Sequence, residues 1–454
     1  MKRRSKFLFA GIAAAFAIAG CGSSPAQRSS QSSPVVIGAI YPLSGPQGSG
    51  GVAEERGVAL AADYVNQHGG VDGRPVKLDL IDVPTAESVP SAMATLQQHQ
   101  VRIVVGTHGS TMSAEAAQQA EQRNQLVWET GAVGNLEMGN APPLSGSADG
   151  GSYSSGTDSD WSPGNTSPTP VAGMGKSFFR MSPQGASLGR AGIDFVLSDL
   201  APQLPGRPTP RVAVAYVQDV YGQAVAQGVI DQIHADHVEL AGVFPYPEYE
   251  TDFARIADAI KRSGANVLYA SSYLADGEAL RRATISQHVP LVASVGTSSS
   301  YCLPEFGDEL QASAVGLFAS DKAAAYSINP NGLLPEGRAT LSWAQAAWAQ
   351  HYNTPMDAYA TSGFANAYAL FAHVLPAAHG FTPQAVTEAA THIRLAPGSL
   401  ADGSGIDFPA TGVQRGENQA AASVIWEWVA PGKEVVVWPP AFATQPIEIL
   451  PIQR

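Results

Sequence analysis

The sequence predicts an α/β protein of two lobes, each built on a parallel sheet covered by helices on both faces. Three observations carry this. Short, nearly continuous apolar runs alternate with longer segments such as "GVALAADYVNQ" and "DFARIADAIKRSG", whose apolar residues recur at three and four. Strands without polar alternation, separated by amphipathic helices, belong to parallel sheets buried on both sides. The pattern also occurs twice: "VVIGAIYPLSGPQGSGGVAEERGVALAADYVN" and "RVAVAYVQDVYGQAVAQGVIDQI" each read strand, polar loop, glycine, helix. Finally, 454 residues suffice for two or three ordinary domains.

The chain opens "MKRRSKFLFAGIAAAFAIAGCGSS", with Lys2, Arg3, Arg4 and Lys6 ahead of an apolar run from Phe7 to Ala19. That run is shorter than the ~20 residues of a spanning helix and reads as the core of an export signal over residues 1–20. It ends "IAGC", which resembles the lipobox of bacterial lipoproteins, so Cys21 is the expected lipidation site. Only Cys21 and Cys302 are present; with lipid on the first, the second has no intramolecular partner. Residues 21–34, containing "SSPAQRSSQSSP", read as a flexible tether.

Strand candidates follow in two series. The first is "VVIGAI" (35–40), "VKLDLID" (76–82), "IVVG" (103–106) and "QLVWE" (125–129); the second is "RVAVAYV" (211–217), "NVLYAS" (266–271) and "PLVASV" (290–295). Between them, residues 139–171 are dense in Gly, Ser and Pro without periodicity, which reads as either a functional lid or, as the composition favours, a disordered insertion. Helices are expected over 338–351, 357–375 and 382–394. "ASVIWEWVAPGKEVVVWPP" then reads as a hairpin turning at Pro-Gly.

The formal charge of −13 argues against nucleic acid and against an anionic membrane surface as partners. Enzyme motifs are weak. "GSGGVA" (48–53) satisfies G-x-G-x-x-A, but seven residues separate it from the strand end and no acid follows at the right distance. There is no phosphate-binding G-x-x-x-x-G-K-[ST] and no H-E-x-x-H; "HADH" (234–237) reads as a solvated pair, and "GTHGS" lacks the glycine of a nucleophile elbow. What remains is "RIVVGTHGSTMSAEAAQQAEQ", where Ser110, Thr111 and free helix-start amides stand at the carboxyl end of a buried strand. Such a place either caps its own helix or holds an anion.

Six fragments in order, "VVIGAIYPLSGPQGSGG", "NQHGGVDGRPVKLDLID", "VVGTHGSTMS", "SFFRMSP", "AYVQDVYG" and "EVVVWPP", resemble the substrate-binding proteins of branched-chain amino acid and amide ABC transporters. The resemblance implies a type I periplasmic-binding fold: two doubly wound Rossmann-like lobes joined by a multi-strand hinge. The expected division is 35–181 with 320–407 as the first lobe and 182–319 with 408–454 as the second. By the family's pattern, Ser110 and Thr111 hold a ligand carboxylate, helped by Gly131, Ala132 and Val133. Tyr221 and Tyr273 close from the second lobe, and Ser44 and Gly45 border the cleft.

Departures from that pattern bear on the ligand. Amino-acid binders of the family place a hydroxyl where this chain has Val133, and an acid near Thr297 where this chain reads "VGTSSS". A buried ammonium without its partner costs several kcal/mol, comparable with the ~8 kcal/mol of a micromolar affinity. Gly50 replaces an aromatic residue and is expected to leave space, and Glu129 is a candidate replacement for the missing charge. The resemblance implies a monomeric, lipid-anchored extracytoplasmic protein without cofactor or catalysis. It would capture a small polar metabolite (amino-acid-like, amide or related carboxylate) for an ABC permease, the alternative being a sensor that reports ligand to a receptor.

Overall fold

The computed structural model describes residues 33–134 and 175–453, apart from Tyr249, Ser298 and Val413. The expected export signal (1–20), the expected lipidation site Cys21 and residues 139–171 lie outside the described residues.

The first sheet takes β1 (Val35–Tyr41), β2 (Val76–Asp82), β3 (Ile103–Gly106), β4 (Leu126–Glu129) and β5 (Phe178–Arg180), all parallel in the order β2-β1-β3-β4-β5. Helices α1 (Gly48–Gln67), α2 (Val89–Gln98) and α3 (Ser110–Arg123) connect its strands. β3 and β4 are buried at every position, as their unbroken apolar runs require when both faces are covered.

After α4 (Gly185–Phe195) the second sheet begins: β6 (Arg211–Val217), α5 (Val220–Ala235), β7 (Glu239–Tyr246), α6 (Phe253–Ser263), β8 (Val267–Ser271), α7 (Leu274–Ser286), β9 (Ala293–Thr297), α8 (Pro304–Leu310) and β10 (Phe318–Asp321). Strands β7-β6-β8-β9-β10 are parallel. The predicted hairpin forms as β13 (Val424–Ala430) and β14 (Lys433–Trp438), which add antiparallel to β10 and complete seven strands. β10 carries the chain to Asp321 within this sheet.

The chain then returns to the first sheet's helices through α9 (Pro335–His351) and α10 (Ala358–Tyr368), followed by α11 (Leu375–Ala378), α12 (Pro383–His392) and the small pair β11 (Arg394–Leu395) and β12 (Ile406–Asp407). α10 lies directly on α1. A Cβ added at Gly57 would sit 2.1 Å from the Ala360 carbonyl, and one at Gly363 would sit 2.2 Å from the Glu54 carbonyl. Asn366 of α10 donates to the Thr130 carbonyl at 2.7 Å, and Trp128 Nε1 donates to the Asn366 carbonyl at 2.8 Å, fixing the helix to the end of β4. Among the described residues no helix is long and apolar enough to cross a membrane.

Candidate cleft between the two sheets

β3 ends in Gly106 at φ +134°, where an added Cβ would lie 2.2 Å from the Ile40 carbonyl; only glycine fits such a turn. The chain then passes Thr107, His108 and Gly109 into α3, whose N-cap, Gly109, offers no side chain. Ser110 therefore opens a helix with its first amides uncapped by the N-cap side chain. Its own Oγ accepts the Gly134 N–H at 2.9 Å.

Glu129 organises this region. Its buried carboxylate accepts N–H groups from Thr107, Gly131 and Ala132, each at 2.8 Å, and the Ser113 hydroxyl. Burial, with the negative charge of Glu54 nearby, pushes its carboxyl above the ordinary range, while Ser113 and the amides oppose that. Glu129 thus ties the β3 turn to α3 and to the 131–132 loop. Both of its oxygens are thereby engaged by groups of the protein itself.

Glu54 on α1 plays a similar part. It accepts His108 Nδ1 at 2.7 Å and Thr130 Oγ1 at 2.5 Å, and Thr130 in turn meets the Tyr41 hydroxyl at 2.7 Å. The His108 ring stands edge-on to Tyr359 of α10, with centroids 4.8 Å apart. These two rings fill the space expected at Gly50: a Cβ there would lie 2.6 Å from His108 Nε2 and 3.2 Å from Tyr359 Cε2. Gly50 admits the protein's own aromatic pair.

Across the boundary stands Tyr221 at the start of α5. Its hydroxyl donates to the Ser272 carbonyl at 3.3 Å and accepts from the Ser299 N–H at 3.4 Å. Tyr273 packs against its ring with centroids 5.4 Å apart. The Tyr273 hydroxyl donates to Asp219 at 2.5 Å, and Asp219 caps α5 through the Gly222 N–H at 2.7 Å. Burial pushes the Asp219 carboxyl up to about 6, against the pull of the Tyr273 hydroxyl.

The two sides meet at Gly134. A Cβ added there would lie 2.6 Å from Ser110 Cβ and 3.0 Å from Cγ1 of Val220, the neighbour of Tyr221. The Gly185 N–H donates to the Val133 carbonyl at 2.5 Å, and Lys322, just past β10, donates from Nζ to the Gly131 carbonyl at 2.7 Å. The structure thus brings Ser110, Gly131, Ala132, Val133 and Tyr221 to one boundary, with Tyr273 behind Tyr221 and Thr111 half-buried beside Ser110.

Three expected residues are engaged elsewhere. Ser44 and Gly45 are exposed, and the Ser44 hydroxyl donates to Asp82 at 2.6 Å because that carboxylate also caps the Leu43 N–H at 2.8 Å. The Thr297 hydroxyl donates to the Ser320 carbonyl at 2.8 Å, satisfying it within the second sheet. His108, Tyr359, Asp321 and Lys322 reach the boundary without having been anticipated. Only Asp321 and Lys322 left a trace in sequence, as a charged "DK" ending an apolar run, since His108 and Tyr359 depend on which elements fold together.

Residues 34–412 match the family model described as periplasmic binding protein. The chain belongs to the periplasmic binding protein family. This periplasmic binding protein is 24% identical over 410 residues to Leu/Ile/Val-binding protein homolog 8 of Brucella abortus, covering 89% of this chain and 90% of that one. Among solved structures it resembles a leucine-binding protein from Thermotoga maritima (TM-score 0.67, 16% identity, 88% of this chain and 97% of that one). It also resembles an ABC-transporter solute-binding protein from R. palustris in complex with benzoate (TM-score 0.65, 15% identity, 92% and 99%). These structures support the fold of two α/β lobes.

Proposed function

We propose that this protein is an extracytoplasmic lipoprotein, anchored through Cys21, that closes its lobes on a small carboxylate- or amide-bearing metabolite and delivers it to an ABC permease. The observation that carries the reading is the apposition of the Ser110 helix start and the Tyr221 helix start across Gly134. One side offers amides and a hydroxyl, which suit an oxyanion or carbonyl; the other offers a phenol with an apolar face and a polar tip. Ligand would stabilise the closed arrangement by its greater affinity for it. The expected lobe division, 35–181 with 320–407 against 182–319 with 408–454, belongs to this proposal; the two sheets support it, with the crossing after Asp321.

Small molecules released by denaturing the purified protein, identified by mass spectrometry, would provide the titrant. Ser110→Ala and Tyr221→Ala should each weaken its binding by roughly tenfold or more, a loss of about 1.4 kcal/mol. Unchanged calorimetric affinity in both variants would remove this boundary from the binding site.

A further inference from the structure

We propose that Lys322 is an anion-recognising residue of the cleft, so that the ligand carries a carboxylate and no ammonium group of its own. This rests on the solute-binding reading above and adds the charge class of the ligand.

Lys322 leaves β10 where the chain crosses from the second sheet toward the first, and it is only 2% exposed. Its Nζ donates to the Gly131 carbonyl at 2.7 Å and lies 5.5 Å from the Tyr359 ring centroid. Among the described residues no carboxylate reaches ion-pair distance of it. Buried ammonium groups are ordinarily paired, and a methionine of similar shape avoids the desolvation cost altogether. A lysine retained here donates to one carbonyl, faces one aromatic ring and feels the buried Asp402 carboxylate only from beyond ion-pair distance, so it has donors left for an anion that enters from outside.

The surroundings favour one position for that anion. Lys322 holds Gly131, and Ser110 holds Gly134 at the far end of the same short loop. A carboxylate placed between them would meet the ammonium, the Ser110 hydroxyl proton and the first amides of α3 together, a charge-assisted arrangement. An α-ammonium on the ligand would bring a second positive charge toward Lys322, whereas the Tyr359 and Tyr221 rings offer apolar faces for an uncharged body.

The test uses the full chain and a matched set: 4-methylpentanoate, 4-methylpentanamide and leucine, with benzoate and benzamide, read by calorimetry and thermal shift, followed by a broad metabolite screen. Wild-type protein should bind the carboxylates at least tenfold more tightly than the amides, and leucine no more tightly than 4-methylpentanoate. Lys322→Met should weaken carboxylate binding tenfold or more and narrow the carboxylate–amide gap, while Lys322→Arg keeps most of it. Preference of wild type for an amide or for leucine overturns the proposal without any variant, as does unchanged carboxylate affinity in a folded Lys322→Met. If only the wider screen yields a ligand, a carboxylate lacking an amine supports the proposal and a neutral or zwitterionic compound overturns it. If wild type binds nothing and carries no small molecule, the solute-binding reading itself falls, and the role of Lys322 with it.

Discussion

At the scale of single residues, Glu129 shows how much of the cleft's shape rests on one buried carboxylate. Three N–H groups and a hydroxyl converge on it. Glu129→Gln would set an NH₂ against donors and leave at least one buried N–H unsatisfied, at about 1–3 kcal/mol per group. We expect a fall in unfolding free energy of at least about 2 kcal/mol by urea titration, together with weaker ligand binding because Gly131 and Ala132 lose their anchor. Asp219 makes a prediction about pH. Its carboxyl is raised from 3.8 to about 6, so the folded chain holds this proton more tightly than the unfolded one. That contribution is fully present below the unfolded value and is lost as pH rises through about 6. Asp357 is raised to about 6 as well, chiefly by burial, and acts in the same sense. Melting temperature should therefore fall between about pH 4 and pH 7, and Asp219→Asn should flatten part of that slope in differential scanning calorimetry. A wild-type profile rising over this window would contradict the assignment. At this scale the site was half legible in the sequence. Ser110 and Tyr221 announce themselves as polar or aromatic residues at a helix start behind a buried strand. His108, Tyr359 and Lys322 meet only because the β3–α3 turn, α10 and the end of β10 converge, and no local pattern encodes that meeting.

Among elements, the strands with apolar runs or regular alternation were legible and those without them were not. β1, β3, β4, β6, β8 and β9 fall on or overlap the apolar runs read as strands, β2 falls on the alternating "VKLDLID", and the Pro-Gly hairpin forms as its alternation indicates. β5 has only three residues, and β10 reads "FASD", without the apolar run that marks β3 and β4 at the same length of four. β7 is half exposed at the sheet edge and ends in Pro-Tyr, which hides it. The contact of α1 with α10 is invisible in either helix alone, yet it positions Glu54 and Tyr359 together. Gly57→Ala would force its methyl against the Ala360 carbonyl, 2.1 Å away. Overpacking of this kind costs about 1–3 kcal/mol, so the melting temperature should drop, and ligand affinity with it as Tyr359 shifts away from Lys322. Unchanged stability would mean the helices separate freely and do not brace the cleft.

For the whole molecule, the proposed function requires the lobes to approach and separate while each remains folded, so closure should be open to disruption independently of stability. Gly134 offers the means. A side chain there meets Ser110 Cβ at 2.6 Å on one side and Val220 Cγ1 at 3.0 Å on the other, so its bulk falls at the boundary rather than inside either core. Gly134→Val should hold the helix starts of α3 and α5 apart. A ligand gains its affinity from contacts made to both sides at once, and its apparent affinity falls with the fraction of molecules able to close. We expect calorimetric binding to weaken tenfold or more, with the melting temperature of the protein alone little changed and its radius of gyration by X-ray scattering no smaller on adding ligand. A variant that lost stability in proportion to affinity would show instead that the 131–134 loop is a core element. Binding at full strength would mean that ligand does not require α3 and α5 to meet, which would remove the closure of these helices from the mechanism.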